Sequence, residues 1–173
     1  MMMKLHGVTM NNLSWLFNSP MESGLRSLTL LVAGYPNYYD LERLVIYDYL
    51  LVHSGDIESG PKSIHPATPH RSGEILVKRP IIESGLQNMI AKGLIEANYS
   101  KSGVTYAATE VGSPFLDSLQ ADYTQKMIGV SGWVSEKFDA YNIEDLKALV
   151  NDNLNVWGSE FVNESIIRGE FYS

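Results

Sequence analysis

Apolar residues recur along this chain at helical spacing in several stretches, interrupted once by a pair of short strand-like runs. Residues 21–33 place Leu25, Leu28, Leu31 and Val32 on one side, behind Ser19 as a capping residue and Pro20 in the first turn. Gly34-Tyr35-Pro36-Asn37 breaks that helix. Asp40 caps the next, where Leu41, Leu44, Val45, Tyr47, Leu51 and Val52 cover most of the surface and predict burial on more than one face, the position of a central core helix. Residues 72–92 read as two helices. Ser72 caps Ile75, Leu76 and Val77, the basic pair Lys78-Arg79 suits a C-terminal end, and Pro80 closes this helix and opens another. The second carries Ile82, Leu86, Met89 and Ile90 on a buried face until Gly93 stops it. Residues 94–99 and 104–108 are short, apolar and aromatic, and Lys101-Ser102-Gly103 supplies a turn between them. A further helix is expected over 111–127 from Phe115, Leu116, Leu119 and Tyr123, then a break at 129–132. Trp133, Val134 and Phe138 lead into a last helix from the cap Asn142, with Leu146, Leu149, Val150, Leu154, Trp157 and Phe161 apolar.

A short helix, a sharp turn, a longer helix and a hairpin form the order of parts in a winged helix. The expected class is therefore mainly α (α+β), a winged helix-turn-helix core with additional N- and C-terminal helices. The chain divides into an arm over residues 1–12, the winged-helix unit over 13–127 and an acidic helical extension over 128–173. From residue 133 onward there are eight Asp or Glu against three Lys or Arg. Leu149 and Val150 suit the core; Trp157 and Phe161 lie beyond the reach of the wing and are candidate partner contacts.

Composition narrows the class. A chain of 173 residues with 45% hydrophobic content can build one well-formed core. It has no cysteine, so disulfides and thiolate metal sites are excluded, as suits a reducing cytoplasm. No apolar run approaches the roughly 20 residues a membrane span requires, and the opening MMMKLHGVTM lacks the apolar core and cleavage site of a signal peptide. A cytoplasmic protein is expected. The formal net charge of -7 disfavours a protein that coats nucleic acid. Locally the balance reverses. Between residues 60 and 80, Lys62, Arg71, Lys78 and Arg79 face the single acid Glu74, with His65 and His70 alongside. These residues and Lys92 are the candidate contacts for a partner or for DNA. Yet the second helix of the pair offers Glu83, Ser84, Gln87 and Asn88 outward, with no arginine to read guanine.

Residues 53–71 form a connection holding three of the seven prolines and three of the four histidines. Its length marks a functional loop or an interaction surface. His53, His65 and His70 with Asp56 and Glu58 have no zinc-ligand spacing, so ordering of the loop is the expected role. Residues 55–63, GDIESGPKS, resemble a phosphate-binding loop, but Pro61 interrupts the N–H donors and prolines follow where a helix should open. No nucleophile elbow, His-Glu-x-x-His pair or dinucleotide fingerprint occurs, so neither an enzyme nor a cofactor is expected.

Three successions carry a resemblance: FNSPMESGLR at 17–26, DLERL at 40–44 with DYLLVHSGD at 48–56, and SIHPATPHRSGEILVKR at 63–79. Together they resemble the middle component of bacterial ABC-three-component systems, which overlap with the Lamassu antiphage systems, over about residues 13–127. The resemblance implies a small accessory subunit encoded between an ATPase of the structural-maintenance-of-chromosomes type and an effector, often a nuclease. It would bind near the ATPase heads and connect them to the effector, with DNA reached through the complex. No catalytic residue transfers; His65, Pro66, Arg71, Gly73 and Glu74 would order the loop or touch the partner. The contrasting expectation is a winged-helix transcription regulator that uses Lys78, Arg79 and Lys92 on DNA.

Overall fold

The computed structural model describes residues 19–66 and 71–156, with side chains described outside 71–77 and 154–156. Helix α1 (Pro20–Ala33) starts as its sequence dictates: the Glu22 N–H donates to Ser19 Oγ at 3.2 Å, with proline in the first turn. The two-residue strand β1 (Tyr39–Asp40) leads directly into α2 (Leu41–Val52), capped by the Arg43 N–H on Asp40 Oδ1 at 2.8 Å. Every residue of α2 from Leu44 to Val52 is buried, which makes it the central helix that its all-round apolar pattern predicts.

A 3-10 turn (Ser54–Asp56) follows, and the connection folds back on α2, where the Ile64 and His65 N–H groups both donate to the Val52 carbonyl. Helix α3 runs unbroken over Arg71–Ala91 with Pro80 inside it, so the two helices and sharp turn expected over 72–92 are one helix. Pro80 forgoes one backbone bond there. Burial holds the two halves in line. Lys78 lies before the proline and Ile82, Leu86 and Met89 after it, all inside the core between α1 and α2.

Helices α1 and α3 cross at two glycines. A β-carbon on Gly85 would sit 2.5 Å from the Gly24 nitrogen and 2.7 Å from the Pro20 carbonyl oxygen, so the backbones touch with no room for a side chain.

Gly93, at φ +73°, ends α3 as expected. Strands β2 (Ile95–Ser100) and β3 (Gly103–Ala108) form an antiparallel hairpin from Ile95↔Ala108 to Ser100↔Gly103, and β1 joins the other edge of β3 to give the order β1-β3-β2.

The C-terminal half departs from expectation in two places. The helix expected over 111–127 is divided into α4 (Gly112–Asp117) and the start of α5 (Asp122–Phe138), and the break expected at 129–132 lies inside α5. Met127, Val130, Val134 and Phe138 are buried along one face of α5. That burial outweighs the roughly 1 kcal/mol helix cost of each of Gly129 and Gly132. Helix α6 (Ile143–Val156) opens on Asn142, whose Oδ1 accepts from the Asp145 N–H at 2.8 Å, and buries Leu146 and Val150. Mainly helical with one small antiparallel sheet, the described chain is α+β.

Candidate partner-contact surfaces

Charged residues divide into those locked inside the body and those left outside. At the centre, Asp48 of α2 accepts from Arg26 Nε of α1 at 2.7 Å and from Lys78 Nζ of α3 at 2.8 Å. All three side chains are almost wholly withdrawn from solvent. Burial alone would push the Asp48 carboxyl up, but the two cations overturn that and hold it well below the usual carboxylate range. Lys78 also lies over the Tyr49 ring, 5.8 Å from its centroid.

Beside this ion pair cluster, His65 is 7% exposed and shares a 2.8 Å hydrogen bond between Nε2 and the Tyr123 hydroxyl, with the two rings stacked. Burial, then the positive charges of Arg26 and Lys78, push its pKa down to about 3, so the imidazole is neutral. His53 meets His65 edge to face at 6.4 Å. Tyr49 donates to Asp56 Oδ2 at 2.8 Å. The described part of the histidine-rich connection, residues 53–66, is thus pinned to α2 and α5 from within.

A second polar centre fixes the C-terminal helices. Asp139, just past α5, accepts from Tyr39 and from Tyr47, at 2.7 Å to its nearest oxygen in each case, and from Ser135 at 2.6 Å. Arg43 bridges Tyr47 and the Tyr141 carbonyl at 2.8 and 2.6 Å. Burial and Asp139 push both tyrosine hydroxyls up.

The expected contact residues therefore separate. Lys78 is spoken for by Asp48 inside the core, and His65 is enclosed by Tyr123, so neither group reaches the surface. Arg79 is half-buried, with Nε 3.9 Å from Glu83 Oε1 on the outer face of α3. Lys92 is exposed at the end of α3, and Lys62 is exposed where residues 61–64 meet α5. There Lys62 and Lys126 flank a cleft of about 590 Å³ with Ile64, Tyr123 and Val130 in its walls. Arg71 falls at the start of α3, its side chain outside the described residues, as are His70, Trp157 and Phe161 altogether.

Sequence reasoning missed Arg26, Asp48 and Tyr123. The signal for the first two was present: Asp48 is the one charge in the apolar stretch 44–52 and Arg26 the one cation of its helix, and an unpaired buried charge is too costly, so each needs an opposite partner. Tyr123 carried no such signal.

Exposed apolar residues point outward in turn. Tyr99, on the far half of the hairpin, is 75% exposed. No curated protein and no solved structure matches the chain. The family described as ABC-three component (ABC-3C) system Middle Component 2 matches residues 16–160, which include every element of the described fold. The chain belongs to that family.

Proposed function

We propose that this chain is a non-catalytic accessory subunit of a bacterial antiphage complex, joining an ATPase of the structural-maintenance-of-chromosomes type to a nuclease or similar effector in a Lamassu-type system. The observation that carries this reading is the family match across the whole body, which makes the chain one component among several. Its strongly shifted groups support the same reading. In the core, Asp48 is bound to Arg26 and Lys78 and His65 to Tyr123, contacts that hold helices together. Work done by this chain is then done at its surface.

The element order of helix, short strand, helix, long helix and hairpin supports a winged-helix reading of residues 20–108. In that reading α2 and α3 form the helix pair before the wing. Exposed Lys92 just past α3 and Lys101 at the hairpin turn, with partly exposed Arg79, would face DNA held by the complex or, in the rival reading, DNA bound by a transcription regulator.

The test is co-expression with the products of the neighbouring genes, followed by size exclusion in moderate salt. A scaffold elutes with the ATPase. A regulator instead binds duplex DNA alone, with affinity falling steeply with salt at a log–log slope of about 0.9 per phosphate contacted. Elution as an isolated chain together with such DNA binding would overturn the accessory-subunit reading.

A further inference from the structure

Three of the exposed large hydrophobic residues gather at the base of the hairpin, at a surface whose lining shares no residue with the Lys62 cleft. Tyr35 is 58% exposed, Val111 54% and Tyr38 48%. Between them lie two adjoining hollows of about 330 and 490 Å³ that share Tyr35, Ala108, Thr109 and Glu110 as walls. The larger also takes in Glu96 and Val111.

The floor is firmly built: the Thr109 N–H donates to the Leu94 carbonyl at 3.0 Å and its hydroxyl to the Gly93 carbonyl at 2.7 Å. Tyr38 is fixed at the rim by donating to Glu96 Oε1 at 2.8 Å. Among the residues that line the two hollows, the charged ones are the carboxylates Glu96 and Glu110.

We infer that this aromatic, acidic groove docks a basic, arginine- or lysine-rich segment of another component of the same system. An arginine on that segment can pair with Glu110 through two parallel bonds and lay its plane against Tyr35, and these are the contacts arginine makes best in protein interfaces.

Charge complementarity excludes the other occupants. Nucleic acid phosphates meet two carboxylates there and are repelled. A second copy would bring the same acidic face. The chain's own residues 157–173 hold three glutamates against one arginine, and residues 1–18 hold a single lysine, so neither end supplies a basic run.

This inference rests on the reading of the chain as one subunit of a multi-component complex. The experiment measures the affinity of the purified full chain for each of the other components separately, at about 150 mM salt. Glu110→Lys and Tyr35→Ser should each weaken one of those affinities about tenfold or more while leaving the melting temperature unchanged, whereas Lys101→Ala at the hairpin turn should not. A benzophenone side chain placed at Val111 should crosslink to a segment of that component containing arginine or lysine. If wild type binds a component but the groove variants lose no more than Lys101→Ala, or the crosslinked segment is acidic, the groove assignment is overturned and the subunit reading stands. If wild type binds no component, both fall.

Discussion

Asp48 is the residue on which three helices converge, and its removal tests how the core is held. Asp48→Asn preserves shape but leaves the Arg26 and Lys78 cations facing a neutral amide, away from water. Breaking a buried pair in this way costs about 3–5 kcal/mol. Urea unfolding should show a midpoint lowered accordingly at an unchanged slope, and a variant as stable as wild type would mean that water reaches the pair. His65 adds a pH dependence of fixed sign. Its folded pKa of about 3 lies below the ordinary 6.5, so on acidification the unfolded chain takes the proton first. Stability should therefore decline as pH falls from about 6.5 toward 3, and Asp48, held below its ordinary value, adds a further loss at the acid end. His65→Gln should flatten that decline between about pH 6.5 and 4, read from urea midpoints at a series of pH values. An unchanged slope would place the titration elsewhere. At this scale the sequence was partly legible. Lys78 and Arg79 read as one basic surface pair, yet neighbours on a helix diverge by about 100°, which sends the first inward to Asp48 and leaves the second on the outer face.

Elements whose ends are written in local chemistry were the legible ones. Ser19, Asp40 and Asn142 cap the helices they precede, Gly93 stops α3 and the hairpin turns at Lys101-Ser102. Pro80, Gly129 and Gly132 carry equally clear breaking signals that tertiary packing overrides, because the residues beside them are buried. No local rule shows that from sequence. The crossing of α1 and α3 gives this scale its sharpest prediction. Gly85→Ala places a methyl group against the Gly24 backbone, where no flexible side chain can move aside, so the helices must separate. Overpacking of this kind costs about 1–3 kcal/mol. The thermal midpoint should fall by several degrees, even though alanine favours a helix over glycine by roughly 1 kcal/mol. A midpoint that rose would show that propensity decides at this site. Leu86→Asp, on the same buried face, should be more severe still, with a charge in the core at well above about 2 kcal/mol and no cooperative transition at room temperature.

Across the whole molecule the question is whether the part beyond the hairpin is an appendage or part of the one core. Composition favours an appendage, since the acidic tail begins near residue 133 and the expected division falls at 127–128. That boundary lies within α5, between two residues of its buried face, Met127 and Val130. Val134, Phe138, Leu146 and Val150 pack into the same cluster as α1 and α2, and Asp139 takes the hydroxyls of Tyr39 and Tyr47 from the other side of the chain. A chain cut after residue 127 would uncover the apolar faces of α1 and α2 and leave two tyrosine hydroxyls without their acceptor. It should therefore be insoluble or molten, with far-ultraviolet helix signal but no sharp melting transition. A chain cut after residue 156 retains every buried group described and should melt in one cooperative step, reporting the same transition by circular dichroism and by tryptophan fluorescence. If instead the fragment ending at 127 folds cooperatively with a stability near that of the full chain, α5 and α6 are an added layer, and the partner-facing surface of this subunit must be redrawn to include the face they cover.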